Sequence, residues 1–299
     1  MGALVPLAAR LNALCDAQPF ETGWYLKDLR TGETADRGGD VAVPSASTRK
    51  IAILMAALRA VHAGRLSLDQ PVVIRREFQI SDSGCFQLLR PGFTVTLQDV
   101  LTMMMVVSDN TCTGTVVDML GLDDINQFSR QAGMTGTVHR QPIPPKVDPA
   151  AAAQAATPPD LRTINVTTPK DVGGLLEQIL RGAEDPAAAA RLGGSSALCR
   201  LALDIMSSLL FHDRLPGLLP RETTVAHKTG TAAHNFNDAG LVYEADRPLF
   251  VLAVYTGGVP WVMPDGAPGE RAAAHHIARL CRVCWDALKR DEAPAYTGG

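Results

Sequence analysis

Three short runs carry side chains that can do chemistry together: Ser47-Thr48-Arg49-Lys50, Ser108-Asp109-Asn110 and Lys228-Thr229-Gly230. A serine hydroxyl is a weak nucleophile until a base takes its proton. A lysine becomes such a base once burial or a neighbouring cation lowers its pKa. Lys50 follows Ser47 by one helical turn, so its amine can approach the Ser47 hydroxyl from the same face. The turn at Pro44 introduces a helix from about Ser47, where free N–H groups and the helix dipole favour a developing negative charge. Lys228 would supply the second cation from an edge strand on the opposite wall, and Ser108 would relay a proton between the lysines and a leaving nitrogen. On the binding side, Asn110 would donate its amide to a substrate carbonyl. Thr229, with Gly230 behind it, would offer a hydroxyl to a substrate carboxylate, and the N–H of Thr231 would complete an oxyanion hole with that of Ser47. This is the equipment for acyl transfer through an acyl-enzyme on Ser47.

Each run also has a plain structural reading. Ser47 and Ser108-Asp109 are good helix caps, Lys50 can be solvated, and Lys228-Thr229-Gly230 can end a strand. A serine followed three places later by lysine should occur by chance about once in a chain this long. The order of the three runs, and their settings at two helix starts and a strand, carry the argument.

Around these runs the chain reads as strands at both ends and helices between. A first helix ends near Gln18-Pro19, and a hairpin follows with Gly32 in its turn. A long apolar helix runs from about Ser47 to His62 and ends at Gly64. Helical periodicity then spans Leu97–Val107, Thr111–Leu120, Asp123–Gln131, Pro169–Arg181 and Ala197–Leu210. Short β-prone runs return at Thr223–Ala226, Asn237–Tyr243 and Leu249–Tyr255, before a closing helix from about Glu270. The expected fold class is α+β: one antiparallel sheet built from both chain ends, flanked by the N- and C-terminal helices, with an inserted all-α lobe. The expected division is 1–45 with 215–299 as the α/β lobe and 46–214 as the all-α lobe, the site lying in the cleft between them.

Composition sets outer bounds. With 299 residues, 46% hydrophobic, 20% charged and a net charge of −3, the chain is an ordinary globular protein and gives no reason to expect nucleic acid or a membrane as partner. A small-molecule substrate and a monomer are expected. No apolar run approaches the ~20 residues that span a bilayer. The start reads as an amphipathic helix rather than a signal peptide, which favours the cytoplasm; a protein stripped of an export signal would be periplasmic or secreted. The six cysteines form no disulfide framework and are expected as thiols in or near the core. Cys281 and Cys284 lack a second ligand pair, so no metal and no cofactor is expected. His275 and His276 are expected at the surface.

The three runs resemble the signature motifs of serine β-lactamases and penicillin-binding proteins. The resemblance to class A relatives extends to Gly23-x-Tyr25-x-x-Asp28-x-x-Thr31-Gly32-Glu33, Leu66-x-Leu68-Asp69-Gln70-Pro71, Thr167-Thr168-Pro169-Lys170-Asp171 and Asn237-Asp238-Ala239-Gly240. It covers roughly Thr22 to Ala287 and implies a mixed α/β lobe plus an all-α lobe with the site between them. It also implies a serine hydrolase that opens cyclic amides.

One departure qualifies that expectation. Class A β-lactamases carry a glutamate just ahead of the Thr-Thr-Pro stretch to activate the deacylating water, and this chain has no glutamate from Phe78 to Gly174. A Pro/Ala-rich loop from Gln141 to Asp160 takes its place, with Gln154 near the expected position and Asp148 and Asp160 as substitute carboxylates. His139, His212 and His234 are alternative bases. The sequence therefore reads as a β-lactamase-like serine hydrolase with slow deacylation. Two rivals stand beside it: a penicillin-binding or sensing protein that is acylated without turnover, and a peptidase, amidase or esterase on the same scaffold.

Overall fold

Strand alternation near the C-terminus decides the architecture. In the run Arg247–Gly257, the side chains of Phe250, Leu252 and Val254 fall on one face and those of Val251, Ala253 and Tyr255 on the other, and all six are buried. A strand apolar on both faces belongs at the centre of a sheet covered on both sides. The structure, a computed structural model, describes residues 4–143 and 159–289. The strands β1 (Glu21–Asp28), β2 (Thr34–Arg37), β7 (Val225–Ala232), β8 (Asn235–Glu244) and β9 (Arg247–Gly257) form an antiparallel sheet in the order β2-β1-β9-β8-β7. The fold is α+β, as the alternation of elements predicts.

Helices α1 (Leu4–Asp16) and α9 (Gly269–Leu288) cover one face. Leu7, Leu11 and Cys15 of α1 meet Ile277, Cys281, Cys284 and Trp285 of α9 over Trp24, Leu26, Phe250 and Leu252. All six cysteines are free, five of them buried and Cys85 half-buried. His276 is a correction: it turns inward, 3% exposed, and its Nε2 lies 3.2 Å from Thr22 Oγ1, while His275 next to it is exposed. A helix lying on a sheet must bury every third or fourth side chain, and His276 falls on that stripe.

The other face packs against α2 (Lys50–His62), α6 (Pro169–Glu184) and α8 (Ser196–Ser207), with α3 (Leu97–Val106), α4 (Asn110–Leu120), α5 (Leu122–Gln131) and α7 (Pro186–Arg191) beyond. Nearly all of α2 is buried, from Lys50 through Leu58, which suits a helix surrounded by others. Each Leu, Ile or Met so buried contributes about 1.5–3 kcal/mol. Starts are fixed locally. Thr96 and Asp99 form a reciprocal cap on α3, Asp109 caps α4 through Cys112 N, and Thr168 caps α6, whose first residue is Pro169.

Three local differences from the sequence reading bear on the site. The α-helix starts at Lys50, because Ala46–Arg49 form a turn of 3₁₀ helix. The strand expected to stop at Ala226 continues to Ala232, so Lys228-Thr229-Gly230 lies inside an edge strand. Two small ladders also occur: β3 (Val43–Pro44) pairs with β6 (Val166–Thr167), and β4 (Pro71–Val73) pairs with β5 (Thr94–Thr96). No helix among the described residues is long and apolar enough to cross a membrane.

Candidate active site

The turn that carries Ser47 is held from both sides. Ser45 N donates to Asn165 O at 3.0 Å, Asn237 Nδ2 donates to Pro44 O at 3.0 Å, and Tyr255 Oη donates to Thr48 Oγ1 at 2.9 Å. Ala46 takes φ 44°, a left-handed conformation that a residue with a β-carbon adopts at a cost. Such strain persists only where the surroundings enforce it and clusters at functional sites. Ser108, at φ 56°, is a second case.

Gly230 shows why the strand side of the cleft needs a glycine. A β-carbon there would stand 3.1–3.2 Å from Thr48 Cγ2, Ala46 Cβ and Ser45 O, tighter than ordinary contact, so the Ser47 turn would have to give by a few tenths of an ångström to admit one. Gly230→Val is expected to push β7 off the turn. Its acylation rate should fall by about tenfold or more and its Tm should drop, both read on the purified variant. Unchanged kinetics would show that the close approach does not matter.

Lys50 is 2% exposed and uses all three of its donors. Nζ donates to Ser108 O at 2.7 Å, Ser108 Oγ at 3.1 Å and Asn110 Oδ1 at 2.8 Å. The amine thus sits in a cradle formed by the second motif, at the cleft that Ser47 also lines. Burial first, then the charge of Lys228, drives its pKa well below the ordinary lysine value; Asp109 opposes and Arg49 adds to the fall. Ser83 Oγ donates to Ser108 O, and Asn110 Nδ2 donates to Ser81 Oγ at 2.7 Å. Asp109 points away from the cleft, accepting from Cys112 N at 3.0 Å and Phe86 N at 2.7 Å.

Lys228 is fully buried and donates to Thr229 O at 2.9 Å. Burial pulls its pKa down to about 7, with Asp238 working against that fall and Arg214 adding to it. Behind it, His227 Nδ1 donates to the buried Asp238 carboxylate at 2.9 Å. Ser47, Lys50, Ser108, Asn110, Thr229 and Thr231 all line one cleft of about 580 Å³. Lys228 and Gly230 stand in the strand that forms its wall.

Two arginines complete the site. The 4%-exposed Arg214 donates from Nη1 to Gly230 O and Asn237 O, both at 2.7 Å, and from Nη2 to Thr231 Oγ1 at 2.6 Å. Nothing in the sequence around His212-Asp213-Arg214 distinguishes it, because its partners lie 16 to 23 residues on and meet it only through the sheet. Arg49 donates from Nε to His139 Nδ1 at 3.2 Å and from Nη1 to Gln141 O at 2.7 Å. Because His139 Nδ1 accepts, its proton sits on Nε2, which faces Ser129 Oγ at 3.2 Å. Burial and the Arg49 charge keep His139 well below the usual histidine range.

The remaining candidates fall elsewhere. His234 Nδ1 donates to Val259 O, and His212 is exposed. Asp160 is exposed, pairs with Arg162 at 2.9 Å, and is not among the residues that line the Ser47 cleft. Asp148 and Gln154 lie outside the described residues. The described carboxylates that line the cleft are Asp82, Asp213 and Glu270, on the sides of the serine-rich wall and the sheet edge.

Known proteins resemble this chain in sequence and in fold. The beta-lactamase regulatory protein BlaB of Streptomyces cacaoi is 25% identical over 290 residues, 87% of this chain and 92% of its own. PBP-A superposes with a TM-score of 0.78 at 27% identity, covering 95% of this chain and 96% of that one. A leucine-to-glutamate mutant of PBP-A, solved as an acyl-enzyme complex with penicillin G, matches at 28% identity with the same TM-score and coverage. The beta-lactamase of Sphaerobacter thermophilus matches at 25% identity and TM-score 0.78, covering 95% and 97%. A model of the beta-lactamase enzyme family matches residues 6–288, and the chain belongs to that family, with the fold of class A beta-lactamases and PBP-A.

Proposed function

We propose that the protein is a serine hydrolase that is acylated at Ser47 by a β-lactam or a related amide and releases the acyl group slowly. The observation that carries this reading is the fully buried Lys50, held by Ser108 and Asn110 within the cleft that Ser47 lines. Deprotonated, Lys50 takes the Ser47 proton as Oγ attacks the carbonyl carbon. Ser108, in contact with Lys50, passes a proton to the departing nitrogen. Lys228 and Arg214 give the sheet wall a positive charge for a substrate carboxylate, which Thr229 and Thr231 meet with hydroxyls. The acyl-enzyme of the PBP-A mutant with penicillin G is the kind of intermediate this sequence of steps forms.

Slow release follows from the missing loop glutamate. Removing a well-placed general base costs about 10²–10⁴ in rate. Mixing the protein with a chromogenic cephalosporin in a stopped-flow instrument is expected to give a burst close to one equivalent per site, then a slow steady state. Linear turnover from the first milliseconds at a rate typical of efficient enzymes would refute slow deacylation. The second reading, a sensor that stays acylated, draws on the likeness to a regulatory protein. A steady state indistinguishable from zero would favour it.

A further inference from the structure

Lys228 and Arg214 put two buried cations on one wall of the cleft. Burying two like charges side by side is costly unless an opposite charge lies close by. One carboxylate answers both. Asp238, fully buried on β8, accepts from His227 Nδ1 at 2.9 Å and from Leu215 N at 3.0 Å. His227 precedes Lys228 and Leu215 follows Arg214, so this single side chain grips the residue next to each cation. It does so from behind. In the register of β7 and β8, Thr229 stands opposite Asp238, and Lys228 stands opposite Ala239. Side chains alternate between faces along a strand, so Lys228 and Asp238 leave the sheet on opposite sides. Ala239 packs in the core beneath α2, α6 and α8, whereas Leu215 packs in the core beneath α1 and α9.

The charge of Asp238 is felt at both cations. Burial pulls Lys228 down, Asp238 opposes that fall and Arg214 adds to it. Burial also lowers Arg214, and Asp238, then Asp213 and Glu270, oppose it. Tyr255 of β9 and Cys281 of α9 face the same carboxylate, and Lys228 in turn faces Lys50 of α2. A direct ion pair would occupy donors of the cation. A carboxylate whose hydrogen bonds go to the neighbouring residues supplies the charge without doing so. We propose that Asp238 is a positioning residue for recognition of a substrate carboxylate: from the far face of the sheet it holds Arg214 and Lys228 in place and supplies their shared counter-charge. The role in recognition rests on the cleft taking an acid that acylates Ser47; the shared counter-charge does not.

The test has two arms and uses Asp238→Asn, which removes the charge at nearly constant size, beside Asp238→Glu, which keeps it. The first arm needs no substrate. The ε-carbon resonance of Lys228 in protein made with isotope-labelled lysine, identified by its loss in Lys228→Arg, is followed against pH. Wild type is expected to titrate at about 7. Losing a nearby negative charge favours the neutral amine, so the midpoint in Asp238→Asn should fall by about one pH unit or more. Asp238→Glu should stay nearer to wild type. An unchanged midpoint in Asp238→Asn would overturn the proposal. In the second arm, acylation by penicillin G and by its methyl ester is timed by intact mass. At about pH 8, above both midpoints, a shift of one unit leaves about tenfold less charged Lys228, so Asp238→Asn should acylate about tenfold more slowly with penicillin G. The methyl ester, which offers no carboxylate, should lose far less. Equal loss with both compounds would make Asp238 a structural residue only and would also overturn the proposal. If Asp238→Asn does not fold, Asp238→Ser, likewise uncharged, carries both comparisons. If wild type forms no adduct with either compound, the reading of Ser47 fails, and the first arm still decides the shared counter-charge.

Discussion

Ser47→Ala is expected to abolish covalent capture of β-lactams, with any residual turnover reduced on the order of 10⁶-fold, the scale of losing a serine nucleophile. The variant should fold normally. Ser47 is half-buried in a turn whose geometry is set by its neighbours, through Ser45, Asn165, Asn237, Thr48 and Tyr255. Surface-like changes of this size usually shift stability by about 0.5 kcal/mol or less. Far-ultraviolet circular dichroism and a thermal melt would establish that the fold is kept, and intact mass would read the labelling. A labelled peptide from elsewhere in the chain, in a folded Ser47→Ala protein, would remove Ser47 from the role.

Lys50→Arg carries the second large effect. Arginine keeps the positive charge and the donors toward Ser108 and Asn110, but a guanidinium does not release its proton near neutral pH. Acylation should therefore slow by about 10²–10⁴ while non-covalent binding, read with a non-acylating analogue, changes far less. The pH dependence separates a base from a positioning cation. With Lys50 as base, the wild-type acylation rate rises as pH climbs through its depressed pKa, which sits well below the ordinary lysine value. With Lys228 acting as the cation, the rate in free enzyme falls as pH passes about 7, where Lys228 loses its proton. The groups that face Lys50 are Lys228 from β7, Asp109 and Cys112 from the start of α4, and Arg49 beside it. Lys228→Arg stays charged throughout and should lose only the falling limb. A wild-type profile flat on both sides would show that neither lysine titrates in the step.

Much of this was legible in the sequence, for physical reasons that differ from place to place. The α2 run is apolar all round, and the Thr168-Pro169 start of α6 is a cap with a proline behind it; both are local signals that the fold then respects. The strands from both chain ends were readable from alternation. The 3₁₀ turn at Ala46–Arg49 was not, because it depends on Ala46 being forced into a left-handed conformation by the packing of β7 and β3 around it. The motif placed Lys228 on an edge strand, but the β-prone run by itself stopped at Ala226, because Lys228 and Thr229 look polar in sequence, yet both are buried in the sheet.

The site divides the same way. Ser47, Lys50, Ser108, Asn110 and the Lys228 strand announce themselves by type and spacing, and the structure brings them to one cleft or its wall. Arg214 and the Arg49–His139 pair carry no local signal; sheet register and a contact across 90 residues create them. Asp160, read as a substitute carboxylate, pairs with Arg162 two residues away and is not among the residues that line the cleft.

The most direct measurement is intact-mass spectrometry of wild type and Ser47→Ala over time with a penicillin and with a cephalosporin, followed by peptide mapping. The expected result is a wild-type adduct carrying the mass of the opened β-lactam, placed on the peptide that contains Ser47, accumulating to near stoichiometry before slow loss. Ser47→Ala should show none. An unmodified wild-type protein that neither forms an adduct nor consumes either compound would contradict the account.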